Sequence, residues 1–243
     1  MATMRVEDIE YSDGGTRLVG QLAVDETRPG RRPGVLVCHE GPGLTDHTKI
    51  IARRLAKLGY VAYAMDYHGD GRPLANPADT MARLNPWRAD PTGIRVRAGI
   101  ALKLLAARPE VDARRMAAIG YCFGGTTALE LARAGEDLRC VVGFHSGLAT
   151  ARPQDAVNIK AKVLVNIGAE DPIIPPEQRL DFEKEMRAAN VDWRMILYGG
   201  AGHSFTNPAA DARNMPGFKY HEPTDRRSWR AMLDLFDETL GPV

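Results

Sequence analysis

Three residues whose side chains together can perform nucleophilic catalysis lie far apart along the chain: Cys122, Asp171 and His203. A free thiol is only a few per cent ionised at neutral pH, so a cysteine nucleophile needs a base beside it. An imidazole oriented by a carboxylate supplies that base. Each of the three follows a stretch that we predict to be a parallel strand, so their types and positions predict a Cys-His-Asp triad.

The surroundings of Cys122 are typical of a nucleophile elbow. The segment Gly120-Tyr121-Cys122-Phe123-Gly124-Gly125 lies between an apolar run at 115–119 and a predicted helix at 126–134. This is the strand, turn, helix context of the G-x-S-x-G motif, with cysteine in place of serine. The glycines give neighbouring backbone the room that a sharp turn requires, and the helix N-terminus favours a thiolate. The alternative is a buried structural cysteine in a glycine-rich turn.

The other two members follow later strands. Asp171 comes just after a predicted strand at 162–168, and His203 lies in a glycine-rich loop after the predicted strand 193–198. The chain order nucleophile, acid, histidine is that of α/β-hydrolases and differs from other folds that use the same triad. This agreement favours catalysis over a structural role for Cys122.

A glycine-rich loop at 40–44 follows the predicted buried strand 34–39. In an α/β-hydrolase the loop after this strand donates one oxyanion-hole N–H, and the residue after the nucleophile donates the other. Gly41 and Phe123 are therefore predicted to act through their backbone. His39 and His47 lie near Glu40, but the H-E-x-x-H spacing of a helical zinc site is absent, so we predict no metal.

Three further residues are candidates for the substrate pocket. His68 follows the predicted strand 61–65 and His145 ends the predicted strand 140–145, positions where parallel sheets place ligands. The alternative for His68 is a surface loop residue. Trp87 lies in a proline-rich stretch at 72–91, which we predict to be an excursion over the site. Its ring either walls the pocket or anchors the loop.

Strand and helix patterns alternate along the remaining chain. They predict one α/β-hydrolase domain spanning residues 1–243, with a mostly parallel central sheet and helices on both faces. The remaining predicted elements are a hairpin at 6–11 and 16–24 and helices at 45–58, 92–107, 176–190 and 225–240.

Composition narrows the class of protein. The 243 residues are 44% hydrophobic and carry a net charge of +1, so neither nucleic acid nor an anionic membrane is an expected partner. No apolar run approaches a membrane span, and residues 1–11 lack the apolar core of a signal peptide. The three cysteines show no paired spacing. We therefore expect a reduced, cytoplasmic protein.

Over most of its length the chain resembles the dienelactone hydrolase family, a cysteine-dependent branch of the α/β-hydrolases. The resemblance rests on the Glu40 loop, the Cys122 elbow, Asp171-Pro172 and Gly202-His203-Ser204-Phe205. It implies hydrolysis of small-molecule esters or lactones through a thioacyl-enzyme, without a cofactor. It also implies that Glu40 contacts the resting thiol, and a homodimer is left open.

The resemblance fails at one position. Family members that act on dienelactone carry, four residues after the catalytic histidine, an arginine that binds the substrate carboxylate, where this chain has Asn207. A second substrate-binding arginine is expected before the elbow helix, and Arg83, Arg88 and Arg95 are equal candidates. The substitution at Asn207 predicts a preference for neutral substrates.

Two other functions stay open at this point. The same triad could act on other activated esters, namely thioesters or neutral phosphotriesters. A non-catalytic small-molecule binder with this fold is the other alternative, although a binder has no need of all three triad groups. A peptidase is disfavoured because the chain has no room for a second, gating domain.

Overall fold

One sheet of eight strands runs through the computed structural model, which describes residues 3–243. The strands lie in the order β1-β2-β4-β3-β5-β6-β7-β8. β1 and β2 form an antiparallel hairpin that joins β4, and β3 to β8 are parallel. Their bounds are β1 (Met4–Asp13), β2 (Thr16–Asp25), β3 (Arg32–Cys38), β4 (Val61–Ala64), β5 (Val111–Tyr121), β6 (Cys140–Phe144), β7 (Lys162–Gly168) and β8 (Trp193–Tyr198).

Helices cover both faces of this sheet. They are α1 (Asp46–Leu58), α2 (Pro77–Ala89), α3 (Thr92–Ala106), α4 (Phe123–Arg133), α5 (Pro176–Ala188) and α6 (Glu222–Leu240). α1 and α6 pack on one face, and α3, α4 and α5 pack on the other. No helix within residues 3–243 is long and apolar enough to cross a membrane.

β3 shows why the parallel strands read as continuous apolar runs. Val35 and Val37 face the core under α1 and α6, whereas Leu36 and Cys38 face the core under α3 and α4. Successive side chains of a strand point to opposite faces, so a strand that is covered on both faces needs apolar residues throughout. The predicted fold class, a mostly parallel sheet with helices on both faces, is confirmed.

The proline-rich stretch 72–91 differs from the prediction because it contains the helix α2. The Asn76 side chain accepts a hydrogen bond from the N–H of Asp79 at 2.9 Å and caps the helix start. Pro77 occupies the first turn, where a missing N–H costs nothing. Pro86 lies inside the helix, which ends at Ala89. Pro77 therefore marks the start of the helix, and Pro86 is accommodated near its end.

Two other helices begin three residues earlier than predicted. α4 starts at Phe123, directly after the elbow cysteine, so no loop residue separates Cys122 from the helix. α6 starts at Glu222 with Pro223 in its first turn. In both cases the first residues of the helix do not belong to the apolar spacing that predicts the helix.

Candidate active site

Cys122 lies at the tip of a sharp turn between β5 and α4. Its backbone has φ of 55° and ψ of −121°, a conformation that side chains other than glycine rarely adopt. The residue is held there because its N–H donates to the Phe144 carbonyl at 3.0 Å and its own carbonyl accepts from Gly125 at 3.1 Å. The strain presents the thiol at the carboxyl edge of the sheet.

The three glycines of the elbow are required by close backbone approaches. A β-carbon on Gly120 would lie less than 3.0 Å from the Gly124 carbonyl, and one on Gly124 would meet the carbonyl of Cys38 at the end of β3. A β-carbon on Gly125 would meet the hydroxyl of Ser146 after β6. The elbow is therefore wedged against both neighbouring strands.

His203 and Asp171 form a buried pair beside the elbow. His203 donates through Nδ1 to Asp171 Oδ2 at 2.7 Å, and both side chains are almost completely buried. The other carboxylate oxygen accepts the N–H of Ile173 at 2.8 Å, which fixes the acid. With the proton on Nδ1 held by the carboxylate, Nε2 is the atom that can accept a proton.

The segment 217–219 holds His203 through two backbone hydrogen bonds and one aromatic contact. The N–H of His203 donates to the Gly217 carbonyl at 2.7 Å, and its carbonyl accepts from Lys219 at 3.1 Å. The Phe218 ring meets the imidazole edge to face, with ring centroids 4.8 Å apart. The imidazole is thus located by the backbone and by an aromatic contact in addition to Asp171.

Cys122 and His203 are close enough to shift one another's protonation. Burial on its own would raise the pKa of the Cys122 thiol, but the nearby His203 imidazole lowers it, and the net shift is downward. Burial would lower the pKa of His203, but the Cys122 thiolate and Asp171 raise it to about 10. His203 Nε2 nevertheless has no hydrogen-bond partner of ordinary geometry within the described residues. The opposite shifts of the two pKa values show that Cys122 and His203 interact as an acid and base pair.

The loop after β3 holds Gly41 next to the nucleophile. The Glu40 carbonyl, which shares a peptide plane with the Gly41 N–H, accepts from His39 Nδ1 at 2.6 Å and from the Tyr67 hydroxyl at 3.1 Å. His68 Nε2 donates to the Gly41 carbonyl at 2.7 Å. Because a trans peptide points its N–H away from its carbonyl, these bonds fix the direction of the Gly41 N–H.

The Gly41 backbone lies near the thiol and contributes to lowering the pKa of Cys122. Phe123 is the first residue of α4, where the backbone N–H has no acceptor within the helix. Two N–H groups at the predicted oxyanion positions, Gly41 and Phe123, therefore flank Cys122.

Glu40 is buried, with a side chain that is 1% exposed. Its Oε2 accepts from Asn207 Nδ2 at 2.7 Å and lies 3.6 Å from the Arg213 guanidinium and 3.8 Å from His47 Nδ1. Its Oε1 has no partner within the described residues. The carboxylate contributes to raising the pKa of Cys122. Glu40 is thus a charged wall of the site and not a solvated loop residue.

Behind the triad lies a second set of buried polar contacts. His145 Nε2 is hydrogen-bonded to Thr206 Oγ1 at 2.8 Å, and His47 Nε2 donates to the Thr206 carbonyl at 3.1 Å. The His145 ring contacts the His203 ring edge to face, with centroids 4.9 Å apart. Burial and the neighbouring His203 lower the pKa of His145 well below its ordinary value, so it is neutral. These contacts locate the segment that follows His203.

Two cavities meet at Cys122 and His203. The first, here called the Glu40 cavity, has a volume of about 380 Å³ and is also lined by Gly41, Arg213 and Phe218. The second, here called the Thr126 cavity, has a volume of about 600 Å³ and is also lined by Gly147, Ala149 and Gln178. Met81 and Arg88 of α2 border both. An ester has two arms around its carbonyl, and the site offers two spaces around its nucleophile.

None of the predicted pocket residues His68, Trp87, His145 and Asn207 lines either of the two cavities. Three of them are bonded elsewhere: His68 to the Gly41 carbonyl, His145 to the Thr206 hydroxyl and Asn207 to Glu40. Trp87 stacks on His68 and on Phe123, and so anchors the loop.

Among the three candidate arginines, only Arg88 borders the cavities. Arg95 is tied to Glu130 at 2.7 Å and to Asp155, and Arg83 is not among the lining residues. Arg213 was not anticipated because nothing in the sequence around it resembles a motif; a 3-10 helix at Pro208–Arg213 brings it to the site. Tyr67 was also missed, although its position after a strand was a usable signal. No group of three potential metal-ligating side chains occurs within residues 3–243.

Comparison with known proteins shows the family to which the chain is related. The sequence profile of the dienelactone hydrolase family matches residues 19–240. A putative carboxymethylenebutenolidase of Yersinia pestis is 30% identical over 238 residues, covering 92% of this chain and 85% of the relative. The solved structure named m3DLH is 49% identical with a TM-score of 0.95, covering 98% of this chain and 99% of that one.

A second solved structure is also similar. It is a dienelactone hydrolase-like promiscuous phosphotriesterase from metagenomic libraries, 43% identical with a TM-score of 0.94, covering 99% of this chain and 100% of that one. The family match, the relatives and the fold together identify a hydrolase that acts on esters or lactones. The chain belongs to the dienelactone hydrolase family.

Proposed function

We propose that the protein hydrolyses carboxylic esters or lactones with Cys122 as the nucleophile, His203 as the base and Asp171 as the residue that orients the base. The observation that carries this proposal is the strained elbow. It places the thiol between a buried His-Asp pair and two backbone N–H groups. Strain of this kind persists where the surrounding structure enforces it for a task.

The proposed reaction begins with the thiol proton held on His203 Nε2, as the raised pKa of His203 and the lowered pKa of Cys122 favour, and the Cys122 thiolate attacks the carbonyl carbon. The negative charge that develops on the carbonyl oxygen is held by the N–H groups of Gly41 and Phe123. When the tetrahedral intermediate collapses, the C–O bond breaks and the alcohol leaves with the proton from His203. A thioester to Cys122 remains.

The second half of the reaction reverses these roles. A water molecule gives a proton to His203 and attacks the thioester carbonyl, again with its oxygen held by Gly41 and Phe123. The C–S bond breaks, the acid is released and the pair of thiolate and protonated His203 is restored. Every proton is moved by one imidazole, which Asp171 keeps in a single tautomer. No cofactor is required by these steps.

The surroundings of Glu40 favour neutral substrates. An anionic substrate in the Glu40 cavity meets a buried carboxylate, and the Asn207 amide beside it carries no compensating charge. Arg213 lies 3.6 Å from the same carboxylate, so its charge is already partly neutralised. A carboxylate-bearing lactone would have to compete with Glu40 for that arginine.

Neutral phosphotriesters are the second proposed substrate class. The same thiolate could attack phosphorus, and the same N–H groups could hold a phosphoryl oxygen. The similar metagenomic phosphotriesterase favours this alternative. The two cavities at Cys122 leave room for more than one substituent around a tetrahedral centre.

The test is a panel of chromogenic esters, lactones and phosphotriesters with wild type and Cys122→Ala. We expect the variant to lose at least about a thousandfold in kcat, since triad members act as a unit. Mass spectrometry during turnover of a slow ester should find the acyl group on Cys122. Wild-type turnover by Cys122→Ala on the best ester would refute the proposal.

A further inference from the structure

A surface groove lies next to the Thr126 cavity and has no role in the reaction described above. It runs between the 3-10 helix Pro153–Asn158 and α5 and has a volume of about 760 Å³. Leu148 and Phe182 are buried residues that line it, and Val157 stands at its rim with 72% of its surface exposed. We call this feature the Val157 groove. A single exposed aliphatic side chain is ordinary on a protein surface, so the groove is a candidate binding surface because of its apolar lining and its place beside the Thr126 cavity.

The Val157 groove adjoins the site of the proposed reaction. Ala149, Thr150 and Gln178 line both the groove and the Thr126 cavity, which in turn contains Cys122. The Gln178 side chain is fixed, because its Oε1 accepts from the N–H of Leu148 at 2.6 Å and of Ala149 at 3.3 Å. The Gln178 side chain, which borders both spaces, is therefore held in one position.

The charged residues of the groove are already paired. Glu185 receives two hydrogen bonds from the buried Arg133, at 2.7 and 2.8 Å, and Lys184 bonds Asp181 at 3.0 Å. The groove therefore has no unpaired charged side chain among the described residues that line it, which favours an uncharged, apolar occupant.

We propose that the Val157 groove binds an extended, uncharged apolar arm of the ester substrate while its carbonyl lies at Cys122. This deepens the proposed function and rests on it. A short ester fills only the cavities at the nucleophile. A longer arm passes Ala149 and Gln178 and removes apolar surface of both the chain and the groove from water.

The experiment measures kcat/KM along two series: p-nitrophenyl butyrate, hexanoate, octanoate and decanoate, and the matching n-alkyl esters of one short acid. All are used below their micelle concentrations. A fully buried methylene is worth about fourfold in an association constant. Because the groove is open on one side, we expect about twofold per methylene for the longer members. The rise is expected in one series, since one arm of the ester faces the Thr126 cavity.

Three variants locate the effect. Val157→Asp should flatten the dependence on chain length, and Val157→Leu should keep it. Leu180→Asp is the matched control, because Leu180 lies on α5 with 52% of its surface exposed but does not line the groove. It should leave the dependence unchanged.

The outcomes separate this inference from the proposed function. A flat dependence in both series, or a slope that Val157→Asp does not alter, overturns the groove assignment. So does a change of molecular mass in light scattering on Val157→Asp without a change of slope, which would make the groove a contact between copies of the chain. Butyrate turnover that survives Cys122→Ala would instead refute the nucleophile.

Discussion

The replacement Glu40→Gln tests how a buried carboxylate governs the nucleophile. Glutamine has nearly the same shape and can still accept the Asn207 amide that now donates at 2.7 Å. The change therefore removes the negative charge and little else. Because that charge contributes to raising the pKa of Cys122, its loss should lower the pKa of the thiol.

The expected size follows from the surroundings of Glu40. An opposite charge nearby shifts a pKa by about 1–3 units, and we take a like charge to act with similar size and opposite sign. Arg213 at 3.6 Å and His47 at 3.8 Å already offset part of the carboxylate field, so we take the lower end, about one unit. One unit corresponds to about 1.4 kcal/mol between the protonated and ionised thiol.

The rate of alkylation by iodoacetamide, measured against pH for wild type and for Glu40→Gln, should give two curves that cross. Well below the pKa, the variant has about ten times more thiolate, but each thiolate is about threefold less nucleophilic because nucleophilicity falls with pKa. The variant should therefore react about threefold faster at low pH and about threefold slower where both thiols are ionised. The inflection itself should move down by about one pH unit.

The total amount of iodoacetamide label should report on Cys122 alone, and mass spectrometry can confirm that the label is on this residue. Cys38 and Cys140 are completely buried, and burial raises the pKa of both thiols, that of Cys140 to about 12. Glu177→Gln, an exposed carboxylate in the first turn of α5, is the control and should not move the profile. Coincident profiles for wild type and Glu40→Gln would show that the carboxylate does not act on the thiol.

Two further outcomes follow from the site. Gly125→Ala should destabilise the protein by about 1–3 kcal/mol, because its β-carbon would overlap the Ser146 hydroxyl. Adding Ser146→Gly should restore part of this loss, as measured by thermal unfolding. No change at Ser146 should rescue Gly120→Ala, because the clash there is with backbone. For matched substrates, kcat/KM should favour the neutral ester over the carboxylate-bearing one by roughly tenfold to a hundredfold, the worth of a charge-assisted contact that the Asn207 amide cannot make; a preference for the anion would assign that contact to Arg88 or Arg213.

Much of the fold followed from the sequence because parallel strands covered on both faces must be apolar throughout. The positions of Cys122, Asp171 and His203 followed from the parallel strands, because Cys122 comes directly after β5, Asp171 three residues after β7 and His203 five residues after β8. The carboxyl ends of parallel strands meet at one edge, so the three side chains had to converge there. The structure places them together.

Side-chain direction could not be obtained in the same way. His68 and His145 were correctly placed at strand ends, yet each turns away from the cavities to bond a neighbouring group, at Gly41 and Thr206 respectively. Arg213 is brought to the site by a 3-10 helix, which the spacing of apolar residues does not predict. These outcomes depend on contacts between segments far apart in the chain, which a local pattern does not contain.

The way in which the cavities are built has a consequence for how such an enzyme can diversify. The elbow lies at the centre of the sheet, between the end of β3 and Ser146 after β6, where Gly124 and Gly125 leave no room for a side chain. Several wall residues, including Met81, Arg88 and Met215, come instead from α2 and the loop before α6. Substitutions in these peripheral segments can reshape what is admitted without disturbing the thiol or its N–H donors. Selection can therefore explore new substrates while the reaction chemistry is inherited intact.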